Sequence, residues 1–283
     1  ANNKSFSDAV LNANSGVNVD MENASGIFGY VINGGQSAAT LRGSKFNDSI
    51  TGNESADILI GNRGNDTIDG GGGADIINTG KGNGVVQNAG NGADTIIHDI
   101  GNSVVIQNTG TDIVTIEAER DGVFVVATTA GERTVNASTS MGNIYMDGAG
   151  AGTNTVRYTG GSGDDTVRLS RSLDGRTASY GFGGSDVLSA PEGGRVVGGG
   201  GSDVLIGSVS GFASLSGGAG ADTLNGKAGI DTLTGGAGVD EFEIDTPAAM
   251  DIITDFTAGT GGDQIDLAEG SLGAVINGNG ADV

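Results

Sequence analysis

Apolar residues recur along much of the chain at intervals of nine residues. In GGAGADTLN-GKAGIDTLT-GGAGVDEFE, which covers residues 217–243, the eighth place of each nonamer is apolar: Leu224, Leu233 and Phe242. Their neighbours are polar, so each apolar place predicts a short strand with one side chain directed into a core. The other residues of each nonamer are rich in Gly and Asp and predict a turn.

The same period is present in two blocks. The first contains four contiguous nonamers over 43–78 and continues in less regular form to Val114, and the second spans 160–245. Together the blocks give these predicted core-facing places: Ile50, Leu59, Ile68, Ile77, Val86, Ile96, Val114, Val167, Leu188, Leu205, Leu224, Leu233 and Phe242.

The nonamers also favour glycine at positions one, two and four and place aspartate at position six. This pattern, GGxGxDxUx with U apolar, resembles the calcium-binding nonapeptide of the repeats-in-toxin (RTX) family of secreted bacterial proteins. The resemblance implies an all-β fold: a right-handed parallel β-roll or β-helix solenoid with calcium in its turns and little or no helix. Two nonamers form one coil, so alternate turns lie on the same edge of the roll.

Stretches beside the blocks resemble segments that accompany RTX arrays. SGVNVDMENASG precedes the first block, and MDIITDFTAGTGGDQIDL follows the second. We therefore divide the chain into a β lead-in or cap (1–42), a first β-roll block (43–114), calcium-poor β-helical coils (115–159), a second β-roll block (160–245) and a C-terminal capping segment (246–283).

The middle segment lacks the sixth-place aspartate but keeps apolar residues at intervals of ten or eleven. These are Val125, Val135, Tyr145 and Val156. We expect calcium-free coils of the same solenoid here. A small β-sandwich inserted between the two blocks is the alternative.

The net charge of the chain excludes some classes of binding partner. The chain has 35 acidic and 13 basic residues and a net charge of −22. Nucleic acids and anionic membranes both require a basic surface, so neither is an expected partner. No apolar run approaches the roughly 20 residues of a membrane span, so we expect no membrane insertion. The acidic balance favours cation binding.

Calcium is the cation that this pattern favours, because Ca²⁺ takes six to eight hard oxygen ligands. Stacked turns would supply carboxylates and main-chain carbonyl oxygens around several Ca²⁺ ions. A purely local role of Asp and Gly as turn formers is the alternative, but it does not explain their fixed phase. The predicted metal ligands are Asp48, Asp57, Asp66, Asp75, Asp94, Asp112, Asp165, Asp186, Asp203, Asp222, Asp231 and Asp240.

Coil geometry predicts which aspartates are neighbours. Asp231 has no aspartate in the turn one coil earlier, VSGFASLSG, and an insertion around Arg171–Arg176 follows Asp165, so neither has an assigned partner. The predicted pairs are Asp48 with Asp66, Asp57 with Asp75, Asp75 with Asp94, Asp94 with Asp112, Asp186 with Asp203, Asp203 with Asp222, and Asp222 with Asp240.

The sequence offers no candidate catalytic residue. It has one histidine, His98, and neither an HExxH nor a GxSxG motif. Paired acidic residues could form acid–base dyads, but those in the repeats are better explained as calcium ligands. We therefore expect no enzyme activity.

We expect a secreted structural protein that folds on binding Ca²⁺ outside a bacterial cell. Self-assembly of a homo-oligomer would then form a surface layer, sheath or filament. Export by a type I system is implied by the RTX resemblance only. The alternatives are an RTX module excised from a larger secreted hydrolase, toxin or epimerase, or an adhesin segment.

Basic residues cluster in one part of the acidic chain. Local charge balance explains the cluster, and contact with acidic neighbours or an anionic cell-surface glycan is the alternative. The cluster consists of Arg157, Arg168, Arg171, Arg176 and Arg195.

Overall fold

The chain is built from short parallel strands. A computed structural model describes residues 2–3, 9–90, 92–98, 103–109, 112–116, 122–130, 133–137, 143–148, 156–169, 178–190, 193–245, 250–267 and 275–276. None of these residues is helical, so the described part of the chain contains no helix that could span a membrane. The strands fall into two compact units, Ala1–Thr139 and Ser140–Val283.

The first unit contains strands β1–β16. In one ladder the strand order is β2-β5-β7-β9-β11-β13-β15, in the other it is β3-β6-β8-β10-β12-β14-β16, and β1 pairs with β4. Their bounds are β1 Asn2–Asn3, β2 Ala9–Asn12, β3 Val19–Asp20, β4 Ser25–Gly26, β5 Tyr30–Asn33, β6 Thr40–Arg42, β7 Ser49–Asn53, β8 Ile58–Ile60, β9 Thr67–Gly71, β10 Ile76–Asn78, β11 Asn83–Asn88, β12 Thr95–His98, β13 Ser103–Thr109, β14 Asp112–Ile116, β15 Gly122–Ala130 and β16 Arg133–Asn136.

The second unit contains strands β17–β30. Its two ladders have the orders β17-β19-β21-β23-β25-β27-β29 and β18-β20-β22-β24-β26-β28-β30. Their bounds are β17 Ile144–Gly148, β18 Val156–Thr159, β19 Thr166–Leu169, β20 Ala178–Gly183, β21 Val187–Ser189, β22 Arg195–Gly200, β23 Val204–Ile206, β24 Ser214–Ala219, β25 Thr223–Asn225, β26 Thr232–Ala237, β27 Glu241–Ile244, β28 Ile252–Ile253, β29 Gln264–Leu267 and β30 Val275–Ile276.

Each unit is a β-solenoid. Apart from β1 and β4, successive strands alternate between the two ladders, so one coil contributes a strand to each, and the pairs are parallel. The all-β parallel solenoid predicted from the nonamers is confirmed.

The core of each solenoid consists of apolar columns between the two ladders. In the first unit Ile50 pairs with Ile68 on one side, and Leu59 pairs with Ile77 on the other. Burying a Leu or Ile side chain contributes roughly 1.5–3 kcal/mol, so each coil adds a modest increment. The side chain of Val114 is outside the described part; the other predicted core-facing places are fully buried, namely Ile50, Leu59, Ile68, Ile77, Val86, Ile96, Val167, Leu188, Leu205, Leu224, Leu233 and Phe242.

Strands of the middle segment continue these ladders. β16 pairs with β14 so that Val135 lies opposite Val114, and β17 pairs with β19 so that Met146 lies opposite Val167. Val135 is fully buried, as its spacing predicts. The division of the chain into five segments stays a prediction.

The predicted core place Tyr145 is wrong by one residue. Met146 is fully buried opposite Val167, and Ile144 is also buried, whereas the side chain of Tyr145 is partly exposed. Alternate residues of a strand face the same side, so Ile144 and Met146 point inward together. The irregular spacing of these coils cannot show which of three consecutive apolar residues faces outward. The side chains of Val125 and Val156 are outside the described part.

Candidate metal centre

The sixth-place aspartates lie where each turn enters the following strand. The apolar side chain two residues later points into the core. Side chains two residues apart on a strand lie on the same face, so the aspartate side chain is buried as well. The described members are each at most 3% exposed: Asp48, Asp57, Asp66, Asp75, Asp94, Asp165, Asp186, Asp203, Asp222, Asp231 and Asp240. The side chain of Asp112, at the start of β14, is outside the described part.

Within a stack, each aspartate contacts the next through its main chain. The N–H of Asp203 donates to Oδ1 of Asp222 at 2.9 Å, and the N–H of Asp222 donates to Oδ1 of Asp240 at 3.0 Å. The same hydrogen bond joins Asp48 to Asp66, Asp57 to Asp75, Asp75 to Asp94, Asp165 to Asp186, and Asp186 to Asp203. The pair of Asp165 and Asp186 was not predicted; the other pairs are predicted neighbours, one coil apart. The predicted pair of Asp94 and Asp112 stays a prediction.

Two stacks extend further than the aspartate pattern indicated. The N–H of Asp231 donates to Oδ1 of Asp251, and the N–H of Asp240 donates to Oδ1 of Asp263, each at 3.0 Å. One coil before Asp231, Ala213 occupies the sixth place, and its N–H donates to Oδ1 of Asp231 at 2.5 Å. Asp231 therefore has an aspartate neighbour on its C-terminal side only.

Asp251 and Asp263 were missed because their turns lack the regular glycine pattern. A signal was present: each lies two residues before an isoleucine, Ile253 or Ile265, as the sixth place lies two residues before the eighth. Ile253 lies in register with Leu233 and is buried.

The second carboxylate oxygen is what makes these stacks unusual. In most described repeats Oδ2 is buried and accepts no hydrogen bond, and a buried polar atom without a partner is costly. The aspartates with such an Oδ2 are Asp66, Asp75, Asp186, Asp203, Asp222, Asp231 and Asp240. A bound cation would satisfy these oxygens.

Other repeats satisfy Oδ2 locally. Ser44 donates its N–H to Oδ2 of Asp48 at 2.5 Å, and Asn53 donates its N–H to Oδ2 of Asp57 at 2.9 Å. In both cases the donor is the residue that follows the first-place glycine, at the second place of the repeat. Individual turns therefore differ in how much their carboxylate needs a cation.

The first-place glycine borders the Oδ2 atom. A β-carbon at Gly43 would lie 2.7 Å from Oδ2 of Asp48 and 2.7 Å from the carbonyl oxygen of Gly61 in the next coil. Glycine is required because any side chain would occupy this cradle between two oxygens. The same crowding by an aspartate and by a carbonyl oxygen of the next coil recurs at Gly52, Gly61, Gly70, Gly160, Gly181, Gly198 and Gly217.

The fourth-place glycine allows successive turns to stack closely. Gly73 adopts a φ of 105°, and a β-carbon there would lie 2.6 Å from the carbonyl carbon of Ser55, one coil earlier. Other residues rarely adopt this conformation, and the close approach excludes a side chain. Contacts between turns thus explain the glycines at the first and fourth places of the repeat.

Burial and like charge disfavour ionisation of the stacked carboxyls. Burial raises the pKa of Asp66 to about 8; the hydrogen bond from the main chain of Asp48 opposes this rise, and the charge of Asp48 adds to it. Burial also raises the pKa of Asp186 to about 7 and that of Asp231 to about 7. A cation between the turns would hold these groups in the charged form.

The described residues contain no group of three or more His, Cys, Asp or Glu side chains arranged around a common metal position. A metal in these turns must therefore take main-chain ligands as well. One carboxylate per turn with the carbonyl oxygens of first-place glycines is a hard-oxygen set that suits Ca²⁺. In the second unit, for example, Asp222 and the carbonyl of Gly235 would hold such an ion, which would supply positive charge to the buried carboxylates.

The other residues singled out in the sequence lie apart from these turns. Arg157, Arg168 and Arg195 are exposed on the second unit. Arg171 and Arg176, in the insertion after Asp165, are outside the described residues, as is the side chain of His98.

Comparison with protein families identifies the repeat. Four segments match the RTX calcium-binding nonapeptide repeat, at residues 33–67, 51–86, 195–209 and 216–243. No curated protein matches the chain. Asp165 and Asp186 lie outside the matched segments, yet they form the same stacked hydrogen bond as the aspartates inside them.

Proposed function

We propose that this chain, which carries RTX calcium-binding nonapeptide repeats, is a secreted structural protein whose solenoid folds on Ca²⁺ binding outside the cell. The observation that supports this most directly is the stack of buried carboxylates. Their Oδ1 atoms are held by main-chain N–H groups, while Oδ2 atoms such as those of Asp203 and Asp222 are buried without a donor.

Calcium would act as the missing part of the core. Without it, ionised aspartates such as Asp203, Asp222 and Asp240 lie one coil apart and repel each other inside a thin apolar core. Glycine-rich turns also lose much conformational entropy on folding. Ions that bind only the folded chain add their binding free energy to its stability. We propose that the chain is largely unfolded at low calcium concentration.

Proteins that carry RTX repeats are typically secreted bacterial proteins. Calcium is scarce inside cells and abundant outside, so folding would follow export. We propose an extracellular or cell-surface location and export by a type I system.

An exposed apolar row supports assembly into a larger structure. Phe212, Ile230 and Met250 occupy the place before the sixth in three successive coils, because Ala213, Asp231 and Asp251 are neighbours in one stack. Their side chains are between 55% and 62% exposed. Contiguous exposed apolar surface commonly marks an interaction site, and a second copy is the partner we propose for this row.

We propose no catalytic activity for the chain. The stacked carboxylates are buried and directed at main-chain groups of neighbouring turns, so they are not open to a substrate. Their role would be structural.

The proposal is tested by light scattering and electron microscopy of the native protein with and without Ca²⁺. We expect an expanded monomer in chelator and ordered polymers after calcium is added. A Phe212→Ser/Ile230→Ser variant should fold with calcium but fail to polymerise, whereas Val10→Ser, at an exposed apolar residue of the first unit, should polymerise normally.

Two results would overturn the assembly proposal. A protein that folds with calcium but stays monomeric at high concentration would favour the adhesin alternative. A native mass far above that of this chain would favour a module of a larger secreted hydrolase or toxin.

A further inference from the structure

Three basic residues of the first unit lie on one edge of the solenoid. Lys45, Arg63 and Lys81 are spaced by eighteen residues and occupy the third place of three turns on that edge. The turns of the opposite edge have Glu54 and Gly72 at this place. One coil therefore separates each basic residue from the next.

Main-chain hydrogen bonds fix this spacing. The N–H of Arg63 donates to the carbonyl of Ser44, the N–H of Lys81 donates to the carbonyl of Asn62, and Arg63 pairs with Lys81 as a parallel bridge. Stacked parallel strands are about 4.8 Å apart. The three basic residues thus follow one another at a regular rise of one coil, and we call them the basic row (Lys45, Arg63 and Lys81).

A second wall lies beside the basic row. Arg42, Ile60 and Asn78 are in register on β6, β8 and β10. Between this wall and the basic row is an open cleft of about 550 Å³. The amide groups of Asn62 and Asn78 line it together with the basic side chains.

The described residues do not neutralise the charge of the basic row. Lys45, Arg63 and Lys81 are exposed, and none of them forms an ion pair with an acidic residue in the described part of the chain. Like charges on neighbouring strands are destabilising, so the row carries a cost that an anion would remove.

Acidic side chains lie beside the Arg42 wall of the cleft. Arg42 lies 3.8 Å from Asp20 and 3.7 Å from Glu22, both well exposed, and Glu22 also borders the cleft. Such exposed pairs contribute little and leave Arg42 able to contact a ligand. Elsewhere the chain is strongly acidic, with a net charge of −22. An anionic polymer would therefore be repelled by most of the surface and attracted here.

We propose that this cleft binds a segment of an acidic polysaccharide, whose anionic groups pair with successive cations of the basic row. A linear ligand can pair with cations on successive coils, whereas a single small anion cannot reach all three. Amide side chains such as Asn62 and Asn78 suit sugar hydroxyls. The described residues that line the cleft include no aromatic side chain, so they provide none of the stacking platforms by which proteins hold single-stranded nucleic acids.

The test is a binding titration at constant, saturating calcium. The probes are hyaluronan oligosaccharides, which carry carboxylates, phosphomannan oligosaccharides, which carry phosphates, and neutral dextran oligosaccharides. We expect binding of at least one charged glycan and none of dextran. The preferred probe identifies whether carboxylate or phosphate is the recognised group.

Two triple variants with the same change in net charge locate the site. Lys45→Gln/Arg63→Gln/Lys81→Gln should weaken binding at least tenfold. Arg157→Gln/Arg168→Gln/Arg195→Gln, which removes three exposed cations of the second unit, should change it less than twofold. Circular dichroism with calcium should show that both variants fold, so the result is independent of the proposed calcium-linked folding and assembly.

Three outcomes would overturn the proposal. They are no binding of either charged glycan, equal losses in the two triple variants, and binding of single-stranded DNA as tight as that of the preferred glycan. The second would indicate a general effect of net charge or a glycan contact at the arginine cluster of the second unit. The third would indicate a site for polyanions of any kind.

Discussion

The main-chain N–H of Asp203 donates a 2.9 Å hydrogen bond to Oδ1 of Asp222, one coil further along the second unit. Oδ2 of the same Asp222 is buried and accepts no hydrogen bond. One oxygen of the carboxylate therefore holds two turns together, and the other needs a cation. The repeat requires aspartate because one carboxylate oxygen accepts the hydrogen bond and the other is available to a cation.

Replacing Asp222 by asparagine should have opposite effects with and without calcium. The amide keeps an oxygen that can accept the hydrogen bond from Asp203 but removes a charge flanked by Asp203 and Asp240. Calcium titrations followed by circular dichroism should show a calcium midpoint raised several-fold, while residual β-structure in chelator increases. Asp266→Asn, at an exposed aspartate of β29, is the matched control and should leave both unchanged. Identical behaviour of the two variants would contradict the assignment.

Gly217→Ala should impair calcium binding by steric means alone. The added β-carbon would overlap Oδ2 of Asp222 and the carbonyl oxygen of Gly235. Overpacking of this kind costs roughly 1–3 kcal/mol. Thermal unfolding with calcium should show a clear loss of stability.

Gly200→Ala is the control for this substitution. Its β-carbon would have as nearest atom the carbonyl oxygen of Phe182 at 3.7 Å, an ordinary contact. It should therefore be tolerated. If Gly217→Ala were equally harmless, the cradle at the first place would not be needed.

The calcium-free fold should be more stable in acid. Burial raises the pKa of Asp186 to about 7, with added contributions from the charges of Asp165, Asp203 and Asp164. The unfolded chain titrates near 3.9, so between these values the folded state binds more protons and its stability falls as pH rises. Circular dichroism of metal-free protein should show more β-structure at pH 5 than at pH 8.

Calcium should reverse this dependence, because the ion binds the ionised carboxylates. Its apparent affinity should therefore rise with pH over the same range. The variant Asp186→Asn should show a weaker pH dependence of the calcium-free state. An increase of β-structure with pH in the absence of metal would show that the buried carboxyls do not titrate as described.

Leu233→Ala should strongly destabilise the calcium-bound solenoid. Leu233 is fully buried between Leu215 and Ile253 in one apolar column. Truncations of this kind cost about 2–5 kcal/mol. Ile230→Ala, at a side chain 60% exposed on the preceding turn, should change stability by less than about 0.5 kcal/mol. Chemical denaturation at saturating calcium measures both, and similar values for the two would contradict the two-ladder core.

The regular nonamers contain enough information to predict the solenoid, because each repeats the same contacts between turns. Their apolar eighth places, such as Leu224 and Phe242, are buried as expected. Where the period is irregular, the spacing correctly predicts Val135 but not the next core residue, which is Met146 and not Tyr145. Strand alternation and pairing with Val167 decide this, and neither can be read from spacing.

The site was predictable in part. The length of a coil predicts which aspartates are neighbours. It does not predict the hydrogen bond from the main chain of Asp203 to Asp222, because that bond depends on the position of each turn relative to the next. Asp251 was missed because its turn lacks the glycines. The basic row was missed as well, although Lys45 and Arg63 are one coil apart in sequence.

Far-UV circular dichroism during calcium titration of metal-free protein, with magnesium as the parallel control, shows whether the solenoid folds on calcium binding. We expect a change from a largely unfolded spectrum to a β-sheet spectrum with calcium, and little change with magnesium, which demands stricter octahedral geometry. A β-sheet spectrum that is the same in chelator, magnesium and calcium at neutral pH would contradict it.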